Sequence, residues 1–190
     1  MEMNKTRKIV LCAVLTAIVV VLQLAGASIR FGTQSISLVL IPIVIGATMC
    51  SISAGIWLGL VFGVVVLFTD SALFWAMNPA GTIITILLRG ILTGLLTGLT
   101  FKALRKVNTY FAVLVSAIVC PIVNTGIFLA GCAVFFMDMM QQYAATMGFG
   151  ENVFSFMIFG LAGVNFLLEL GTNVILSPVI VRILHLRKSA

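Results

Sequence analysis

The sequence predicts an all-α integral membrane protein, a bundle of six transmembrane helices with the N- and C-termini both cytoplasmic. Three observations predict it. The chain is too apolar for water, its apolar residues form six continuous segments, and its basic residues gather on one side of those segments.

Of 190 residues, 62% are hydrophobic and only 8% are charged. Mean hydropathy is +1.26. Soluble domains are about 45–50% apolar and about 25% charged. A chain this short has no packed arrangement that hides so much apolar surface from water, so the bilayer is its solvent. A spanning helix takes about 20 mostly apolar residues. Six spans use nearly the whole chain, which reads as one transmembrane domain over residues 1–190 with no room for a soluble nucleotide-binding domain. The segments are unbroken rather than alternating, which excludes a transmembrane β-barrel.

Segment one covers about residues 9–27, and a polar patch at 28–34 follows. Segment two, about 36–50, is short and contains Pro42. Ser51-Ile52-Ser53 makes a hinge into segment three, about 54–68. A loop with Asp70, Trp75, Asn78 and Pro79 precedes segment four, about 82–101. Segment five covers about 110–136 and segment six about 154–184, separated by the longest polar interruption, 138–152. Lys5, Arg7 and Lys8 ahead of a run ending Ala25-Gly26-Ala27 imitate a cleavable secretory signal. Five further apolar segments favour an uncleaved first helix.

The net charge of +6 would suggest nucleic acid in a soluble protein. Here it sets orientation, and no nucleic-acid partner is expected. With the N-terminus inside, nine of the eleven basic residues are cytoplasmic: Lys5, Arg7 and Lys8, then Lys102, Arg105 and Lys106, then Arg182, Arg187 and Lys188. The outer loops hold Arg30 and the acids Asp70, Asp138 and Glu151. That asymmetry follows the positive-inside rule. Five or seven spans would place a basic cluster outside.

Cys12, Cys50, Cys120 and Cys132 lie in apolar stretches without Cys-x-x-Cys spacing, so they read as free thiols packed like small hydrophobes, with no metal cluster. No phosphate-binding loop and no His-Glu-x-x-His motif occurs, and His185 stands alone. No catalytic constellation and no cofactor is indicated.

Gly55, Gly59 and Gly63 in segment three, and Gly90, Gly94 and Gly98 in segment four, are each spaced four apart. Small residues at that spacing let two helix backbones approach closely. Ala13 and Ala17 in segment one share the spacing, either as an internal seam or as a docking face for another membrane protein.

Polar groups inside spans are expensive and therefore informative. Arg89 lies in segment four and Asn124 in segment five, while Asn165, Glu169 and Asn173 form one stripe of segment six. Interhelical hydrogen bonding or a mutual Arg89–Glu169 ion pair accounts for them, and so does a polar cavity. The outer loops, with Phe31, Gln34, Trp75 and Asn78, suit capture of a small organic molecule. Phe31 and Trp75 equally suit the interfacial aromatic belt.

The chain resembles the substrate-binding S component of an energy-coupling factor (ECF) vitamin transporter. The likeness rests on a length near 190 with six spans, Ala13-x-x-x-Ala17, and the stretch Ile36 to Pro42 followed by the Ala54 to Gly63 glycine run. It rests also on Asn78-Pro79 leading to Leu88-Arg89-Gly90, and on Asn165-x-x-x-Glu169-x-x-x-Asn173 with Pro178. The resemblance implies a non-catalytic subunit in the bacterial plasma membrane that binds a small-molecule vitamin at its outer side. It implies docking through the Ala13/Ala17 face onto a transmembrane coupling protein driven by two cytosolic ATPases, all amid membrane lipid.

The pocket candidates on segments four to six include few aromatics, though Phe128, Tyr143 and Phe166 offer some stacking surface. Arg89 suits a carboxylate, because its guanidinium grips one with two hydrogen bonds. Asn78, Asn124 and Asn165 suit hydroxyl and amide groups. Pantothenate is the favoured cargo; riboflavin, folate and cobalamin stay open. Two other readings remain. A stand-alone secondary transporter would need an ion-coupling site and usually internal repeats, and a structural subunit would use its buried polar groups only for packing.

Overall fold

The computed structural model describes residues 4–27, 30–31, 34–35 and 38–189, with side chains over 4–26 and 38–183. Among these the architecture is helical apart from one two-stranded ribbon. There β1 (Arg30–Phe31) pairs antiparallel with β2 (Gln34–Ser35).

Five helical runs are long and apolar enough to cross a membrane. They are α1 (Lys5–Ala27), α3 (Ile52–Thr69), α5 (Pro79–Leu104), α6 (Thr109–Phe135) and the run Val153–Ile183. The last combines α8 (Val153–Ser155), a π-helical stretch (Phe156–Ala162) and most of α9 (Gly163–Ser189).

Segment two differs from a full span. Its helix, α2 (Leu40–Met49), has 10 residues. That is about 15 Å of helix against about 30 Å of hydrocarbon. Leu40, Ile43 and Val44 are fully buried, so other helices and not lipid surround α2. Helix ends at membrane depth are tolerated where protein covers them.

Local chemistry sets the helix starts. Ser51 Oγ accepts from the Ala54 N–H at 3.1 Å to begin α3. Asn78 Oδ1 accepts from the Gly81 N–H at 2.9 Å, with Pro79 in the first turn of α5. Asn108 Oδ1 accepts from the N–H groups of Tyr110 and Phe111 to begin α6. Two stretches read as loops contain helices. Residues 70–79 include α4 (Ala72–Met77), and the polar interruption includes α7 (Met137–Thr146). Only one face of α7, with Met139, Met140 and Ala144, is buried, which explains its polar composition.

Contacts give the helix directions. Trp57 Nε1 donates to Thr16 Oγ1 and Gln23 Nε2 donates to Asp70 Oδ2, so α1 and α3 run parallel. The chain between them therefore returns to the level at which it began. Gly55 lies on Gly94 and Gly59 on Gly90, so α5 runs antiparallel to α3. Gly131 meets Thr85, and Asn124 meets Arg89, which reverses the direction again in α6. Lys5, Lys102 and Arg182 thus share one end of the bundle.

The α3–α5 contact is backbone on backbone. A Cβ added at Gly59 would run into the Gly90 carbonyl, and one at Gly94 into the Gly55 carbonyl. Two apolar cores flank the middle of the bundle. One gathers residues such as Leu58, Phe62, Cys120 and Val181. The other joins the end of α6 to α7 and the π-helical stretch through Cys132, Met140 and Phe156. Among the described residues no disulfide joins the cysteines; Cys120 and Cys132 are buried. Phe68, Phe159 and Ile175 are largely exposed, as lipid-facing side chains are.

Candidate functional site

A cavity opens at the end of the bundle remote from Lys5 and Lys102. Five long helical runs contribute to its wall, including Gln23 from α1, Phe62 from α3, Arg89 from α5, Phe128 from α6 and Glu169 from α9. Thr82 and Thr85 add hydroxyls two turns and one turn before Arg89.

The polar groups form a relay across three helices. Arg89 Nε donates to Asn124 Oδ1 at 2.9 Å. Asn124 Nδ2 donates to Glu169 Oε2 at 3.3 Å, and Asn165 Nδ2 to Glu169 Oε1 at 3.3 Å. Asn173 Nδ2 donates to the Glu169 backbone carbonyl at 2.8 Å. Asn124 thus stands between Arg89 and Glu169 and accepts from one while donating to the other. Glu169 and Asn124 are each only 2% exposed, so these bonds act in a medium of low dielectric where a lost partner is costly.

The Arg89 guanidinium sits 5.3 Å from the Phe62 ring centroid and 5.1 Å from that of Phe128. Both distances suit cation–π attraction. With Nε bound to Asn124, the two Nη groups supply the remaining donors. Phe74 and Phe136 also line the cavity, and their rings meet edge to face at 5.0 Å. The wall is richer in aromatics than segments four to six alone suggest, because Phe62 comes from α3 and Phe74 from α4. Phe128 is part of it, and Tyr143 lines a neighbouring cavity. The cavity offers about 40 Å³ to the centres of water-sized molecules. That is small beside the roughly 300–1,000 Å³ of a ligand pocket, so a vitamin-sized ligand requires the wall to open.

Of the residues singled out in the sequence, Arg89, Asn165 and Glu169 line the cavity, and Asn124 ties them together. Trp75 and Asn78 are engaged elsewhere. The Trp75 indole donates to the Leu67 carbonyl at 2.9 Å, and Asn78 caps α5. Asn78→Ala is expected to lower stability by about 1 kcal/mol, with Asn78→Asp close to wild type. Thermal unfolding in detergent reads that difference, and equal losses in both variants would deny the cap its role. The side chains of Phe31 and Gln34 lie outside the described residues. Ala13 and Ala17 lie on the exposed face of α1, opposite buried Leu15 and Val19.

Gln23, Asp70 and Phe74 were not singled out as site residues. Gln23 Nε2 donates to Asp70 Oδ2 at 2.6 Å and fastens α1 to the end of α3 beside the cavity. An amide inside an otherwise apolar segment is a signal of the same kind as Asn124. Phe62 and Phe74 carry no such mark, because an apolar side chain in an apolar stretch does not reveal its face.

A protein-family model described as "ECF transporter, substrate-specific component" matches residues 7–181. No curated protein and no solved structure matches the chain.

Proposed function

The chain belongs to the substrate-specific components of ECF transporters, and from that premise we propose that its cargo is a carboxylate-bearing vitamin, pantothenate above the others, held through Arg89. The family makes it a multi-pass protein of the bacterial membrane and a substrate-binding, non-catalytic transporter subunit that works with an ECF module. The observation that carries the carboxylate reading is the Arg89 guanidinium on the cavity wall, fixed by Asn124 and held against two phenyl rings. A guanidinium so positioned is pre-organised for a two-point grip on a carboxylate. Asn165, Thr82 and Thr85 supply partners for the cargo's hydroxyl or amide groups.

The proposal extends to topology. Six crossings with both ends cytoplasmic accord with the parallel run of α1 and α3 and with three basic clusters at one end. In this reading α2 belongs to the return crossing, and the cavity faces outward. Delivery is proposed to proceed by docking of the exposed Ala13/Ala17 face on the coupling protein, whose two ATPases supply the energy.

A thermal-shift screen of purified protein against the vitamins tests the cargo. A ligand at 100 times its Kd stabilises by about 2.7 kcal/mol. The expected result is a shift with pantothenate and none with its amide. A shift only with neutral vitamins would sink the carboxylate reading, and uptake by the isolated protein driven by an ion gradient would favour a secondary transporter.

A further inference from the structure

A second cavity adjoins the first, and the two share Asp70 and Phe74 as lining residues. It offers about 60 Å³ to water-sized centres and lies under α7. Its wall differs in character. Leu73, Met139, Met140, Phe156 and Leu161 make it mainly apolar, with Tyr143 contributing a phenol. The first cavity instead presents Arg89, Glu169, Asn165 and Gln23.

Of the two shared residues, Asp70 is held by Gln23, and Phe74 is an aromatic side chain on a short helix. Phe74 belongs to α4, a six-residue helix with no buried residue. Its ring leans edge to face on Phe128 at 5.8 Å and on Phe136 at 5.0 Å. Such contacts are worth about 0.5–1.5 kcal/mol each beyond their area burial. Displacing the ring is therefore within reach of ligand binding, and displacing it joins the two cavities. Methionine on the far side suits the joined space to ligands of varied shape, because its unbranched side chain repacks easily.

We infer that the two cavities are compartments of one elongated site with Phe74 as the divider, taking an organic acid whose carboxylate meets Arg89 and whose apolar arm passes Phe74 to lie under α7. This rests on the carboxylate reading above and adds a second subsite to it. Phe74 then sets the length of acid that is accepted.

N-acyl-β-alanines of increasing chain length, from acetyl to octanoyl, test it by calorimetry on the purified chain in detergent. Affinity is expected to rise about fourfold per methylene once the arm enters the second compartment. The methyl esters, which lack the carboxylate, are expected to show no such series. Ala72→Phe fills the apolar compartment from an exposed lining position and is expected to cancel the gain, so that octanoyl binds no better than acetyl. Phe74→Ala removes the divider and is expected to let the rise begin at a shorter chain. Acids that all bind equally overturn the second subsite and leave the Arg89 reading intact. Esters that bind as well as acids mark apolar partition and overturn it too. Binding by no member removes the carboxylate reading and this inference with it.

Discussion

Gly59→Ala is expected to lower stability by more than the usual cost of an overpacked methyl. The added Cβ would coincide with the Gly90 carbonyl, and the reciprocal change at Gly90 would meet the Gly59 carbonyl. Side chains can change rotamer to relieve crowding, at about 1–3 kcal/mol. Backbone cannot, so the remaining response is for α3 and α5 to part along the seam. Gly59→Ile should leave little folded protein. Gly126 and Gly171 provide the control, because a Cβ at either meets nothing within 4 Å. Alanine there should be neutral or stabilising by up to about 1 kcal/mol, its helix-propensity advantage over glycine. Thermal denaturation in detergent, with size-exclusion profiles, compares the four variants. Gly59→Ala as stable as Gly126→Ala would show that the seam is not a backbone contact.

Arg89→Gln is expected to weaken binding of the carboxylate cargo by about 2–4 kcal/mol, roughly 30- to 1,000-fold. Part of that loss comes from the cargo's own carboxylate, left buried without a partner. Part comes from Asn124, which loses the guanidinium that orients it toward Glu169. A cycle with the amide form of the cargo separates the two. In the wild type the amide should bind far more weakly than the acid, and in Arg89→Gln the two should be nearly equal. Arg89→Lys restores charge but not the planar fork, so it should recover only part of the loss. An amide penalty that persists in Arg89→Gln would place the carboxylate elsewhere in the cavity.

Legibility in the sequence followed the cost of each residue in its setting. Asn78-Pro79 and Asn108 mark helix starts by their own chemistry, so α5 and α6 begin close to where the pattern places them. Arg89, Asn124, Asn165 and Glu169 stand out because polar groups in an apolar span need a reason to be there. What stays hidden depends on neighbours. Residues 36–50 read as a short apolar segment with Pro42, and nothing local reports that α2 would be enclosed by other helices. Phe62 and Phe74 look like any lipid-facing phenylalanine until tertiary packing aims them. The polar content of 138–152 reads as a loop, although it is the solvent face of α7. An Arg89–Glu169 ion pair is one of the readings the sequence leaves open for these residues, and in the structure Asn124 stands between the two and hydrogen-bonds both.

The glycine seam also has a bearing on entropy. Phe62 lies one residue before Gly63, and Arg89 one residue before Gly90, so both stand on the two helices that are locked together. They act as the fixed jaw of a vice. The jaw opposite is α4, which carries Phe74 and buries no residue. A fixed jaw loses no conformational freedom when it grips, so the ordering that accompanies binding falls on α4. Each rotamer-rich side chain immobilised there costs about 0.5–1.5 kcal/mol. Amide exchange over residues 72–77 should therefore slow when cargo binds, while exchange along the seam stays as it was. Two cargoes that satisfy Arg89 equally would then differ in how long they are held, according to how well each sets the moving jaw.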